Sequence, residues 1–212
     1  MNLLTQNKKL KDTSKAIGKK VFNFSLPAYK FANGKKDKNG NDLFNVVCPF
    51  AGSCIKPCYA QKGNYTRYPK NNLLREQKYY LTKSDNFVDL MSEEIKKKKA
   101  NYIRVHDSGD FYSRQYALKW FKIAELNPEV KFYAYTKSFK WFMNMEIPDN
   151  FDLIFSEGSI NDNLIDTKLH RHARIFDTEQ ELIESGYINA SKNDLMATKF
   201  FNSSNKVGLI FH

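Results

Sequence analysis

Cys48, Cys54 and Cys58 are the only cysteines in a chain of 212 residues. They fall within one short segment, Cys48-Pro-Phe-Ala-Gly-Ser-Cys54-Ile-Lys-Pro-Cys58-Tyr-Ala, which glycine and prolines bend between the thiols. Thiolates gathered in one loop can meet at a point and suit a metal centre, whereas cysteines used as small apolar residues scatter along core strands. Disulfides fit poorly, because the number is odd, the spans are tiny, and no apolar run is long enough for a signal peptide or a membrane span. Three free structural thiols are the other plain reading. The gaps are five and three residues, not the two-residue spacing common in structural zinc sites. Zinc would also need a fourth ligand from His106, His170, His172 or His212. A 4Fe–4S cluster tolerates wider spacing and, with three cysteines, keeps one iron open. Ligand softness favours the cluster, with zinc as the alternative.

Three further segments concentrate polar chemistry at the ends of expected strands. Arg104-Val-His106-Asp107-Ser108-Gly109-Asp110-Phe111 places an imidazole, two carboxylates and a hydroxyl around a glycine. Tyr135-Thr136-Lys137-Ser138 and Ser156-Glu157-Gly158-Ser159 are the others. In parallel α/β folds, active groups sit just past the C-terminal strand ends, so these segments should line one rim beside the cysteine loop. Asp110, His106 and Asp107 are the acid–base candidates. Ser108, Thr136, Lys137, Glu157 and Arg104 are candidates for substrate contacts, Lys137 through a phosphate or carboxylate. Each segment has an ordinary alternative as a turn or cap. His170 and His172 read as surface residues.

The elements that must position these groups alternate. Residues 1–19 read as a flexible basic lead-in, and 20–212 as a single α/β domain. Lys20 to Leu26 alternates like a strand, and Asn33-Gly34 with Asn39-Gly40 marks a hairpin tip or loop. A short strand at Leu43–Val47 feeds the cysteines. Asn71–Leu81 should be a helix with Leu73, Leu74, Gln77 and Leu81 on one side. Ser84 should cap a second helix carrying Phe87, Leu90, Met91 and Ile95 and ending in Lys96–Lys99. Strand Tyr102–Val105 precedes a helix capped by Ser113, with Tyr116, Ala117, Trp120, Phe121 and Ala124 inward. Strands follow at Lys131–Thr136, Phe151–Phe155, Ala173–Phe176 and Val207–Phe211, with a short helix through Trp141 and a capping box at Thr178 stopped by Gly186. The pattern predicts a mainly parallel sheet with crossover helices, a partial or trimmed (β/α) barrel.

A formal charge of +11 comes mostly from lysine, and the first forty residues hold ten lysines against two aspartates. Phe22, Phe24, Tyr29 and Phe31 interleave with that charge. Such a surface attracts polyanions, so nucleic acid or a nucleotide is the expected partner, with ordinary lysine solvation as the alternative.

The motifs Cys48-Pro-x-Ala-Gly-x-Cys54-x-x-x-Cys58-Tyr-Ala, His106-x-Ser-Gly-Asp-Phe and Phe132-Tyr-Ala-Tyr-Thr-Lys-Ser138 resemble the phage gene-product-88 family from about Phe24 onward. More distantly they are similar to the phage three-cysteine-motif proteins, which look like radical S-adenosylmethionine barrels. That likeness implies a radical-SAM-like fold, an open-cornered cubane on Cys48, Cys54 and Cys58, S-adenosylmethionine as a further cofactor, and a place in the cytoplasm of an infected host cell. The cysteine gaps depart from the three-and-two spacing usual in those enzymes. The C-terminal cysteines expected in the phage family are replaced here in the region of Asn193, Met196 and Lys199. Asp107-Ser-Gly-Asp-Phe111 is also similar to the Asp-Ser-Gly-Gly-Phe turn of the tRNA-guanine transglycosylases. That analogy, which extends to the DNA-acting phage relatives of those enzymes, would make Asp107 the base reader and Asp152 or Glu157 a nucleophile in deazaguanine exchange on DNA. Three expectations follow: a radical-SAM-like enzyme modifying nucleic acid or nucleotides, a base exchanger, or a non-catalytic phage protein binding DNA or a host protein in counter-defence.

Overall fold

A computed structural model describes residues 1–211. The helices are α1 (Lys8–Ile17), α2 (Asn64–Arg67), α3 (Pro69–Lys83), α4 (Phe87–Lys98), α5 (Arg114–Leu126) and α6 (Glu179–Glu184). The strands are β1 (Val21–Phe24), β2 (Lys30–Lys36), β3 (Asp42–Val46), β4 (Tyr102–Val105), β5 (Lys131–Thr136), β6 (Phe151–Ser156), β7 (His172–Phe176), β8 (Ile188–Asn189) and β9 (Lys206–Ile210). Seven strands form one parallel sheet in the order β1-β4-β5-β6-β7-β9-β8, curled into a half-barrel. β2 and β3 stand apart as an antiparallel hairpin.

Side-chain alternation divides the core between the two faces of the sheet. Phe24, Ile103, Val105, Phe132, Ala134 and Phe151 join one cluster with the inward residues of α4 and α5, including Phe87, Met91 and Trp120. Val21, Tyr133, Ile154, Ala173 and Val207 join a second cluster, closed by Leu10 of α1 and by Leu195 and Ala197. Strands this enriched in apolar residues on both faces are what a parallel sheet covered on both sides requires.

Several expectations are corrected. The lead-in contains a helix: Asn7 Oδ1 accepts from the Leu10 amide at 2.9 Å, and Leu10 is fully buried. The hairpin tip lies at Asp37–Asn41, and β2 runs through Asn33-Gly34 with a register shift. α3 turns Leu73 and Leu74 to solvent and buries Lys78, Tyr79 and Thr82. Its inner face wins by aromatic contact and polar tips: Tyr79 meets the Phe31 ring edge-on, and Lys78 Nζ donates to the Leu3 carbonyl at 2.7 Å. Asn86, not Ser84, precedes α4; the Ser84 hydroxyl bonds back to the Leu81 carbonyl. β9 inserts between β7 and β8. His172 is buried, its Nε2 2.9 Å from the Tyr187 hydroxyl.

Candidate metal centre at the sheet rim

The cysteine loop begins where β3 ends. The amides of Val47 and Cys48 donate to the Tyr29 carbonyl at 2.7 and 3.0 Å. The loop then docks on the turn after β6: the amides of Gly52 and Cys54 donate to the Gly158 carbonyl at 2.9 and 3.4 Å, and Ala51 bridges to Ser159. Two glycines permit this approach. A Cβ on Gly52 would lie 2.9 Å from the Ile160 nitrogen, and one on Gly158, at φ 96°, 3.1 Å from Cys54 Cβ. Gly52→Ala should therefore push the loop off the β6 turn at a cost of about 1–3 kcal/mol. Comparing its urea unfolding midpoint with the native chain's tests this; an unchanged midpoint contradicts the docking.

All three thiols are free and partly exposed. Burial pushes the Cys48 thiol well above its ordinary value, and the Asp110 charge adds to the rise. Burial also raises Cys54, against the pull of the Lys137 ammonium. The three sulfurs are close enough to act on one another electrostatically. Among the described residues, no three His, Cys, Asp or Glu side chains come together as a set for one metal ion. His106 and His172 are enclosed in the core, and His212 lies outside the described residues.

The polar strand ends do meet around this loop. Gly109, at φ 82°, packs so closely that a Cβ would fall 2.6 Å from Leu26 Cβ. Ser108 Oγ donates to the Leu26 carbonyl at 2.6 Å, tying the end of β4 to the end of β1. Asp110 ties it to β5, accepting from Thr136 Oγ1 at 2.6 Å, the Lys137 amide at 2.8 Å and its neighbour Phe111 at 2.7 Å. Burial still raises the Asp110 carboxyl, although these donors oppose it. Lys137 Nζ reaches Ser156 Oγ at 2.8 Å, linking β5 to β6. Asp107 accepts from the hydroxyls of Ser25 and Tyr65, and its carbonyl from Tyr59. Glu157 holds Arg174 at 2.7 Å. Most of the rim's polar side chains thus stitch neighbouring strands together.

His106 is elsewhere. At φ 69° it makes the left-handed bend that turns the chain out of β4, a conformation histidine tolerates better than most residues. Its ring packs on Phe24 and Phe111, with Nε2 2.8 Å from the Tyr116 hydroxyl. Burial drives its pKa down to about 3. The ring is a neutral core group, so the acid–base role expected of it at the rim has no geometric support. Asp152 sits at the opposite end of β6, accepting from the Lys199 amide at 2.6 Å and facing Arg171 at 3.6 Å. It is out of reach as a nucleophile beside Asp107.

Arg104 points from β4 into the inner face, where it meets Asp194 at 3.1 Å and covers the Tyr135 ring at 5.0 Å. Asp194 also accepts from Tyr133 at 2.6 Å and from Lys9 at 2.9 Å. Burial works against the Asp194 carboxylate, but Arg104, Lys9 and Tyr133 together hold its pKa below the usual range. Arg104 Nε and the Tyr135 hydroxyl are buried there without a partner among the described residues. Sequence reasoning missed Asp194 and Tyr59. The only signal for Tyr59 was its place directly after Cys58; Asp194 lies in a polar stretch resembling any surface turn.

Among the described residues, no helix is long and apolar enough to cross a membrane. The family model for gene product 88 matches residues 1–209. The "Gene 88 protein" of Mycobacterium phage L5 is 31% identical over 127 residues, covering 54% of this chain and 53% of that protein. Its counterpart in Mycobacterium phage D29 is 30% identical over 127 residues with the same coverage. The chain thus matches about half the length of these curated relatives. No solved structure matches. With the family model spanning nearly every residue around this rim, the chain belongs to the gene product 88 family.

Proposed function

We propose that the protein carries an iron–sulfur cluster on Cys48, Cys54 and Cys58 and modifies a nucleic acid or nucleotide at the half-barrel rim, in the manner of the radical-SAM-like enzymes its motif resembles. The observation that carries this reading is the docking of a three-thiol loop on the C-terminal edge of a parallel sheet, where α/β enzymes place their chemistry. Three thiols that act on one another electrostatically suit a cluster whose three cysteine ligands bind separate iron corners. Such a cluster supplies one-electron chemistry at an open iron. Lys137 offsets negative charge beside Cys54 and is the cation available to a substrate carboxylate or phosphate. Asp110, Thr136 and Ser108 act as positioning residues, holding the strand ends that carry the loop.

Protein prepared without oxygen should be brown, absorb near about 400 nm, and contain about four iron and four sulfide per chain. Cys54→Ala should lose the colour, and added S-adenosylmethionine should perturb the native spectrum. Stoichiometric zinc, or no metal after anaerobic reconstitution, overturns the reading.

The protein bonds that saturate Asp110 favour a second reading, a binding protein with a structural cluster. In that version Asp110→Asn would leave the cluster and the biological effect intact.

A further inference from the structure

The positive charge lies in the first part of the chain: residues 1–29 carry a formal +5, and the residues after 83 sum to −2. Residues 30–83 contain eleven lysines and arginines against three acidic residues, a formal +8 of the chain's +11. The hairpin and α3 occupy this stretch, on either side of the cysteine loop.

The hairpin has two unlike faces. Phe31 and its cross-strand neighbour Asn45 face α3: Phe31 meets the Tyr80 ring edge-on at 6.0 Å, and Asn45 Nδ2 donates to the Tyr80 hydroxyl at 3.0 Å. Lys30 pairs with Val46, and Ala32 with Phe44, on the other face. Phe44 and Val46 are each 46% exposed, Tyr80 is 49% exposed, and Lys30 Nζ lies 4.6 Å over the Phe44 ring. Lys83 Nζ stands 4.4 Å from the Tyr79 ring and 6.0 Å from Tyr80. Exposed rings beside ammonium groups are the elements of a base-stacking platform, with the cations left for phosphates.

Through Lys30 and Phe31 the hairpin borders a cavity of about 280 Å³ at its base, lined also by Gln61, Tyr65, Arg75 and Glu76. The Arg75 guanidinium stacks 4.6 Å over Tyr65, whose hydroxyl reaches Asp107 at the rim. The volume lies at the low end for small-molecule sites, enough for one nucleoside. Lys30 and Arg75 outnumber Glu76 in the lining, so the cavity is compatible with a nucleotide's phosphate.

We propose that the hairpin and this cavity bind single-stranded nucleic acid, with one unpaired base on Phe44 at the open face, another on Tyr80 at the α3 side, and one nucleotide led toward the cysteine loop. A duplex cannot offer its base faces to these rings, so the single strand is the fitting occupant. The inference deepens the substrate half of the proposed function and is independent of its cluster half.

The test is fluorescence anisotropy with a labelled oligo-dT of about twenty nucleotides at low salt. The native chain should bind it at least about ten-fold more tightly than a duplex of equal length, and weaken steeply as salt rises. Phe44→Ala should weaken binding about ten-fold, and Lys30→Glu with Lys83→Glu further. Lys122→Ala with Lys192→Ala, outside the stretch, should change it less than two-fold. Cys54→Ala should bind like the native chain, so loss of the cluster and loss of this site are separable. Equal affinity for duplex, no effect of Phe44→Ala, no binding at low salt, or preference for anionic lipid vesicles or an acidic protein would each overturn the proposal.

Discussion

Asp194→Ala is expected to lower stability by about 3–5 kcal/mol, because it leaves Arg104 charged and enclosed without its carboxylate. The loss should exceed that of a simple truncation. Asp194 is 1% exposed and receives Arg104, Lys9 and Tyr133 together, so removing it strands the Arg104 guanidinium and the Tyr133 hydroxyl, while Lys9 keeps the Ala190 carbonyl. A domain stable by about 5–15 kcal/mol would be left marginal. Urea unfolding measures the cost, and a paired replacement identifies its source. Arg104→Met combined with Asp194→Leu should recover most of the loss, since removing both charges also removes their desolvation. A double variant as unstable as Asp194→Ala would place the cost in packing, not in the stranded guanidinium.

The second large effect is acid sensitivity centred on His106. Its pKa is about 3 in the folded chain because burial disfavours the imidazolium, against an ordinary 6.5. The folded value is the lower one, so the unfolded chain takes up the proton first as pH falls. The stabilisation is present in full above about pH 6.5 and is lost progressively from there down to pH 3. Between pH 7 and pH 5 the contribution should fall by about 2 kcal/mol. Asp110 and Asp152, whose carboxyls burial raises, act in the opposite direction at lower pH. A comparison of variants is therefore more informative than a single titration. His106→Asn suits the left-handed backbone and cannot titrate. Its stability should vary less between pH 7 and pH 5 than the native chain's, by about the same amount. Equal slopes would mean that the imidazole carries no such load.

Much of the scaffold could be read before any coordinates. Ser113 accepts from the Tyr116 amide and Thr178 from the Glu181 amide, as their positions before apolar periodicity suggested. The inward face of α5 is the one that spacing predicted. Strong local signals succeeded because each rests on contacts within one turn. α3 was misread because leucines outweigh a lysine on any hydropathy count, yet Lys78 is buried with its ammonium over the Phe24 ring and donating to the Leu3 carbonyl. α1 was overlooked because its helix is polar apart from Leu10, Ala16 and Ile17, and its docking depends on Asp194 far along the chain. At the rim, residue types showed where polar groups would gather but not which way they would face. Asp110 and Ser108 became ties between strands, and the bend at His106 sent its ring into the core. No local pattern reports such choices, because they are made by residues distant in sequence.

The position of β9 between β7 and β8 orders events during translation. β8 leaves the ribosome first yet lacks its hydrogen-bonding neighbour until β9 has been made. α1, made long before residue 194, must wait for Asp194 before Lys9 has its counter-charge. A nascent chain paused before residue 194 would therefore expose tyrosines of the unfinished sheet to chaperones, and closure of the half-barrel becomes a late event joining segments from both halves of the message.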